Sequence, residues 1–230
     1  MKTFIVTGAS RGIGYFTTLA LLKNNHRVVA IARSHDKLKK LEIEADTPNI
    51  ITITADLTNA DDISRIEKTV ASFGKISGLV NNAGMVINKS FLETTKAEWL
   101  SVFDANLFSA VDLIKSLLPH FDSHSHIVNV SSMGGFQGSA KFPGLAAYST
   151  AKGALAILTE CLSAELAPSN IFVNCLCLGA VQTEMLAEAF PGYEAPVRPE
   201  QMATYICNFV STAHQFFNGK IIPVALNNPE

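Results

Sequence analysis

No apolar run in this chain approaches the ~20 residues needed to cross a bilayer. No secretory leader is visible either: Met1-Lys2-Thr3 runs directly into a strand-like segment, without an apolar region and small-residue cleavage site. Lysines are scattered and the net charge is −2, so there is no basic stripe for nucleic acid. These absences predict a soluble, cytoplasmic protein with neither a membrane nor a nucleic-acid partner. Cysteine is scarce, with four in 230 residues. Cys175 and Cys177 flank Leu176 in a strand-like run and so point to one face, and no second close pair completes a metal site; they read as core thiols. His124 and His126, beside Asp122 and Ser123, read as solvated loop histidines, and no metal is expected. Repeats, low-complexity tracts and linkers are missing as well. With 48% hydrophobic residues, the chain can bury one large core, and a single domain over 1–230 is expected.

What is present is an alternation. Apolar runs at Thr3–Val6, Arg27–Ile31, Ile50–Thr54, Gly78–Val80, His126–Val130, Ile171–Cys177 and Lys220–Val224 are separated by helical stretches. Such alternation predicts an α/β fold with a doubly wound parallel sheet and crossover helices. Thr95-x-x-Glu98 has the form of a capping box opening the helix that carries Asn106, and Pro199 suits the first turn of the last helix. Ligands of such sheets bind at the carboxyl ends of the strands, across the topological switch point. Gly8, Asp56, Asn82, Ser132 and Gly179 all follow strand ends.

Two segments carry chemistry. The first strand leads at once into Thr7-Gly8-Ala9-Ser10-Arg11-Gly12-Ile13-Gly14 and then a helical pattern from Tyr15 to Lys23. Glycines permit a tight turn and close approach of backbone to a ligand, and the open N–H groups of a helix start favour a phosphate. No Gly-Lys-Ser/Thr follows, so a hydrolytic P-loop lacks its lysine and its magnesium-binding hydroxyl. In Tyr148-Ser149-Thr150-Ala151-Lys152 a phenol and an ammonium stand at i and i+4 on one helix face, where the cation is expected to lower the phenol pKa and make it a proton donor or acceptor. After the second strand, Ala32-Arg33 stands where an acidic residue would receive the ribose hydroxyls of NAD. An arginine fork suits a phosphate instead, and Arg11 is expected to approach the same group.

With the glycine turn, Asp56, Asn81-Asn82-Ala83-Gly84, Asn106, Ser131-Ser132 and the tyrosine–lysine pair in this order, the chain resembles the short-chain dehydrogenase/reductase family from its first strand to about Met185. The resemblance implies a Rossmann-type single domain that transfers a hydride between NADP(H) and a small carbonyl or alcohol substrate. It assigns catalysis to Asn106, Ser132, Tyr148 and Lys152. It assigns the pyrophosphate turn to Gly8, Ser10, Arg11, Gly12, Ile13 and Gly14, and the 2′-phosphate to Arg33. Asp56 and Leu57 are expected at the adenine, Asn82, Ala83 and Gly84 at the ribose, and Gly179, Val181 and Thr183 near the nicotinamide amide, with Tyr148 and Lys152 touching the cofactor too. A homo-oligomer, dimer or tetramer, is implied through helices around Asn106 and after Tyr148. The sequence departs from the family pattern in a long Phe136–Ala147 segment, in Leu178 before Gly179, in a short substrate-covering stretch at 185–197 and in the lack of a glycine-rich ending. Phe136, Phe142, Met185, Phe190 and Tyr193 suggest an apolar substrate pocket. The alternatives are a non-catalytic NADP(H)-binding redox sensor or an interaction protein on the same fold.

Overall fold

In a computed structural model that describes residues 1–226, the apolar runs are strands and every adjacent pair is parallel. The strands are β1 (Thr3–Thr7), β2 (Arg27–Ala32), β3 (Ile50–Thr54), β4 (Ile76–Asn81), β5 (Phe121–Ser132), β6 (Phe172–Leu178) and β7 (Ile221–Val224), in the order 3-2-1-4-5-6-7. The helices are α1 (Gly12–Lys23), α2 (His35–Ala45), α3 (Ala60–Ala71), α4 (Lys96–Phe103), α5 (Ser109–Leu117), α6 (Ala146–Glu165), α7 (Glu184–Ala189) and α8 (Pro199–Thr212). The last four residues of the expected 1–230 domain lie outside the described residues.

The sheet is covered on both faces, which is why its strands read as continuous apolar runs. Along β1, Phe4 and Val6 join Leu21, Leu38, Ile206 and Val210 from α1, α2 and α8. Ile5, between them, faces Ile66 and Val70 of α3 and Leu113 and Leu117 of α5 on the other side. The period of two along a strand thus sorts neighbouring side chains into two separate cores. Chain order reverses between β1 and β4, so the crevice of the fold opens at their carboxyl ends. Thr95 and Glu98 close the capping box of α4 as expected, and Pro199 begins α8.

Buried amides tie α6 to the middle of the sheet. Asn81 donates to Asn129 Oδ1 (2.9 Å), Asn129 donates to Thr159 Oγ1 (2.9 Å), and Thr159 donates to the Leu155 carbonyl (3.0 Å). All three side chains are buried, so each bond satisfies a group that would be costly to leave unpaired.

His126 corrects the loop reading given above. Strand β5 starts at Phe121, so His126 is a fully buried strand residue, while His124 beside it is exposed at φ 69°. The polar segment is tolerated inside because its groups are bonded. Ser125 donates to the Ile76 carbonyl, His126 Nδ1 lies 3.2 Å from the Val210 carbonyl, and Nε2 lies 2.9 Å from Asn174 Nδ2. These partners put the ring proton on Nδ1 and leave Nε2 as an acceptor, with no place for a second N–H. Burial pushes the His126 pKa down to about 3, with His214 nearby acting in the same direction.

The consequence is acid sensitivity of known sign. Between pH 6.5 and about 3 the unfolded chain binds a proton at residue 126 that the folded chain refuses, so stability rises with pH across this window and is lost on acidification. Each unit below the ordinary value costs about 1.4 kcal/mol. In urea titrations, His126→Gln should start less stable than the wild type at pH 7 but lose less stability between pH 6.5 and pH 4. Equal slopes would contradict the assignment.

Candidate active site

The glycine turn occupies the carboxyl end of β1. Gly8 and Gly12 adopt φ of 67° and 56°, which side chains rarely take, and a Cβ on Gly14 would lie 2.5 Å from the Gly8 carbonyl oxygen. Arg11 caps α1 with its backbone alone, no side chain covering the first-turn amides. The turn is stitched to the neighbouring strand end. Thr7 Oγ1 accepts from the amides of Asn82 and Ala83 at 3.0 Å each, and Asn82 Nδ2 donates to the Thr7 carbonyl (3.0 Å). The Asn82 side chain is therefore part of the floor of the crevice.

Beyond β2, Arg33 is exposed and makes no ion pair among the described residues. Ser34 caps α2 by accepting from the Lys37 amide, and Arg33, Ser34 and Lys37 line one end of the cavity at this helix start. Sequence reasoning missed Lys37. The signal was its position, three residues past a serine cap, which brings it onto the first turn near Arg33. Asp56 accepts from the amide and hydroxyl of Thr58, and Leu57 is buried, both in the cavity wall. Arg11 differs from expectation. It lines the cavity, but its guanidinium holds both oxygens of Glu188 on α7 (2.5 and 3.3 Å) instead of standing free for a phosphate. The pair raises the Arg11 pKa and lowers that of Glu188.

At the other end, α6 presents Tyr148 and Lys152. The Lys152 carbonyl accepts from Ser131 Oγ (2.8 Å) and its ammonium donates to the Val130 carbonyl (2.9 Å), so two bonds clamp this residue to the end of β5. Ser131 is thereby spent on structure. Ser132 Oγ accepts from the Gly134 amide (3.1 Å) and lines the cavity alongside Tyr148. Asn106 lies in a single π-helical turn, Asp104–Phe108, between α4 and α5. Its Nδ2 donates to the carbonyls of Met85 and Val102 (2.8 Å each), and its Oδ1 accepts from the Met85 amide (3.3 Å). A wide turn of this kind interrupts the helical ladder, and the Asn106 amide takes up the Val102 carbonyl. Gly84 sits between the two halves: a Cβ there would lie 2.5 Å from Asn106 Oδ1 and 3.4 Å from Lys152 Nζ.

The electrostatics run against one expectation. Desolvation pushes the Tyr148 phenol up to about 12, with the Ser132 hydroxyl pulling the other way. Desolvation also pushes Lys152 down to about 8. Desolvation outweighs any help from the Lys152 ammonium, which donates to the Val130 carbonyl and stands 5.9 Å from the centroid of the Tyr148 ring.

The Phe136–Ala147 segment folds onto itself. Ser139 and Lys141 both bond the Phe136 carbonyl, at 2.9 and 2.6 Å. Phe136 is not a pocket residue: it packs on Met133, Ala156, Cys175 and Cys177, the last two being buried thiols as expected. Phe142 instead meets Phe190 at 6.5 Å between ring centroids, and Phe142, Met185, Phe190 and Tyr193 line the cavity. Gly179, Val181 and Thr183 follow β6 along its wall, with Leu178 buried before them and Thr183 capping α7. The cavity has a volume of about 1460 Å³ and runs without interruption from Arg33 to Tyr193. A drug-sized ligand needs about 300–1,000 Å³, so a dinucleotide together with a substrate fits. No group of metal-ligating side chains occurs among the described residues, and no helix there is long and apolar enough to cross a membrane.

Residues 2–194 match the family model described as short chain dehydrogenase. The chain is 36% identical over 184 residues to the NADPH carbonyl reductase 2 of Sus scrofa, covering 79% of this chain and 72% of that protein. It is 28% identical to a 3-oxoacyl-acyl-carrier-protein reductase of Thermotoga maritima, across 97% of this chain and 96% of the relative. A 3-ketoacyl-acyl-carrier-protein reductase from Brucella melitensis, solved as a complex with NADH, superposes with a TM-score of 0.87 at 25% identity, over 97% of this chain and 96% of that one.

Proposed function

Because the chain belongs to the short-chain dehydrogenase family, a family of nicotinamide-dependent oxidoreductases, we propose that it interconverts a carbonyl and its alcohol with NADP(H), beneath a cover formed by 185–197. The observation that carries this reading is that the Ser132 and Tyr148 hydroxyls line the same unbroken cavity as Arg33 and Lys37. When bound, the nicotinamide supplies or accepts the hydride. The chain does the rest. Gly8, Ser10, Gly12, Ile13 and Gly14 receive the pyrophosphate at the open amides of α1, with Arg11 at its edge. Asp56 and Leu57 border the adenine, Asn82, Ala83 and Gly84 the ribose, and Gly179, Val181 and Thr183 the nicotinamide amide.

Tyr148 donates its proton to the carbonyl oxygen in reduction and takes it back in oxidation, while Ser132 donates a hydrogen bond to the same oxygen. With its pKa at about 12 the phenol is protonated at neutral pH, as a proton donor must be. Lys152, at about 8, keeps most of its charge at pH 7, and an ammonium near the ring lowers the cost of the phenolate that proton donation leaves. Asn106, beside Lys152, holds a water that relays the replacing proton.

Tyr148→Phe should nearly abolish turnover and leave nucleotide binding largely intact, since it removes one transferable proton and little contact area. Ser132→Ala should lose on the order of 10²–10³ in rate, the usual cost of one preorganised donor to a developing oxyanion. Ser131→Ala, whose hydroxyl is bound to the Lys152 carbonyl, should lose far less. Steady-state kinetics on a verified carbonyl substrate check the ranking, and a phenylalanine variant retaining most of the wild-type rate would sink the proposal.

NADP(H) is preferred over NAD(H) on the strength of Arg33, Lys37 and the amino end of α2, with Ala32-Arg33 at the end of β2 where an acidic residue would repel a 2′-phosphate. Arg33→Ala should weaken NADPH about ten- to a hundredfold and NADH little, corresponding to one charged hydrogen bond of roughly 1.5–3 kcal/mol. Equal weakening in a binding titration would contradict it.

A homo-oligomer is the third element of the proposal. Leu100 on α4, Phe108 on the π turn and Ile157 on α6 are 53, 46 and 58% exposed, in the helices expected to pair. Light scattering on the eluting protein should give a dimer or tetramer mass; a monomer at micromolar concentration would exclude it.

A further inference from the structure

Beyond Ser132 and Tyr148 the cavity continues into a region that proton transfer does not use. Its walls are Leu145, Met185, Phe142, Phe190 and Tyr193, contributed by the 136–147 segment and the 185–197 cover. Phe142 and Phe190 meet edge to face, with 6.5 Å between centroids and 61° between planes, so rings from two distant stretches of chain form one aromatic wall. Phe142 is 39% and Tyr193 50% exposed, which leaves apolar surface open to whatever enters.

The charges of the cavity lie elsewhere. Arg33, Lys37 and Asp56 stand at the carboxyl ends of β2 and β3, Asp104 on the π turn, and Lys152 behind the tyrosine. Arg11 is held by Glu188. Lys141, the cation closest in sequence to Phe142, is tied to the Phe136 carbonyl and Ser139 Oγ and does not line the cavity. Among the described residues, no lysine, arginine or histidine joins this wall, and positions 227–230 contain none. The charge that α7 brings to the cavity is negative, the Glu184 carboxylate lying 3.7 Å from where a Cβ on Gly12 would stand. An anionic group brought against these rings would give up part of its water and find no cationic partner in exchange, which costs free energy. An apolar group loses only unfavourable hydration there.

We infer that the substrate is an uncharged ketone or aldehyde whose apolar group, next to the carbonyl, packs against the Phe142–Phe190 pair, and that anionic carbonyl compounds such as keto acids are disfavoured. This rests on the proposed carbonyl chemistry and adds the substrate class to it. Phe142 and Phe190 set specificity through substrate contact.

The test uses benzaldehyde and 4-carboxybenzaldehyde, two aldehydes of the same ring and reacting group that differ in charge, followed by oxidation of NADPH. Benzaldehyde should have a kcat/KM at least tenfold higher. Phe142→Ala and Phe190→Ala should each raise the KM for benzaldehyde about tenfold or more, losing an aromatic contact. Phe190→Arg should narrow or invert the preference between the two aldehydes. Equal turnover of both, preference of the wild type for the carboxylated one, or unchanged KM in both alanine variants would overturn the inference while leaving the hydride chemistry standing. Turnover of neither aldehyde would overturn the proposed carbonyl chemistry and the inference together.

Discussion

Everything at the Tyr148 end of the cavity depends on the height at which α6 sits on the sheet, and the Asn81–Asn129–Thr159 chain of buried amide and hydroxyl bonds sets it. Packing alone would not. A helix on an apolar sheet can slide by a fraction of a turn at small cost, because dispersion and burial are non-directional. A buried amide allows no such slide, since every displacement leaves a donor or acceptor without water and without a partner. Two further bonds repeat the constraint higher on the same helix, from Ser131 Oγ to the Lys152 carbonyl and from Lys152 Nζ to the Val130 carbonyl. Tyr148 lies one turn before Lys152, so its hydroxyl is brought to Ser132 by the same clamps.

Desolvation is the other side of this enclosure. The surroundings that hold Lys152 also strip its water, and its pKa falls to about 8 while that of Tyr148 rises to about 12. Two groups that would help each other in the charged state are thus both biased toward neutrality in the chain by itself. Burial outweighs the mutual attraction because the ammonium is directed at a carbonyl. A site arranged in this way is poised to hold a proton on the phenol.

The parallel arrangement of the sheet was legible because strands covered on both faces carry nearly continuous apolar runs, as Phe4–Val6, Val28–Ala32 and Cys175–Leu178 do. The glycine turn and the tyrosine–lysine pair were legible because their spacing carries the geometry. His126 was misread because its neighbours are polar: Ser125 and His126 are inside only through bonds to Ile76, Val210 and Asn174, partners remote in sequence. Phe136 was misread for a related reason, since a phenylalanine on a long segment gives no sign of whether it turns to the cavity or to the core beside Cys175 and Cys177. Lys37 was missed because nothing but a helix start marks it. Arg11 was assigned to a phosphate from its place in the turn, yet its partner in the structure, Glu188, is 177 residues away.

The contacts around the cavity fall into two grades, and the grades match two tasks. The groups proposed for proton transfer are fixed by buried bonds, among them three from the Asn106 side chain and two at Lys152. The first part of the cover is fixed by exposed ones. Arg11 and Glu188 form a water-screened pair, Asn88 donates to the Ala189 carbonyl at the surface, and Phe142 touches Phe190 edge to face. Solvated bonds of this kind contribute little to stability, so 185–193 can change its sequence without disturbing the sheet or α6, whereas the end of the cover is tied down where the Gln182 amide donates to the Val197 carbonyl. The 136–147 segment has such freedom only in its middle, braced by its own Ser139 and Lys141, since Phe136 packs on the buried thiols and Leu145 and Ala147 are buried. On the proposed function, proton transfer falls to the rigid part of the molecule and substrate choice to the part that tolerates change, a division that follows from where water reaches.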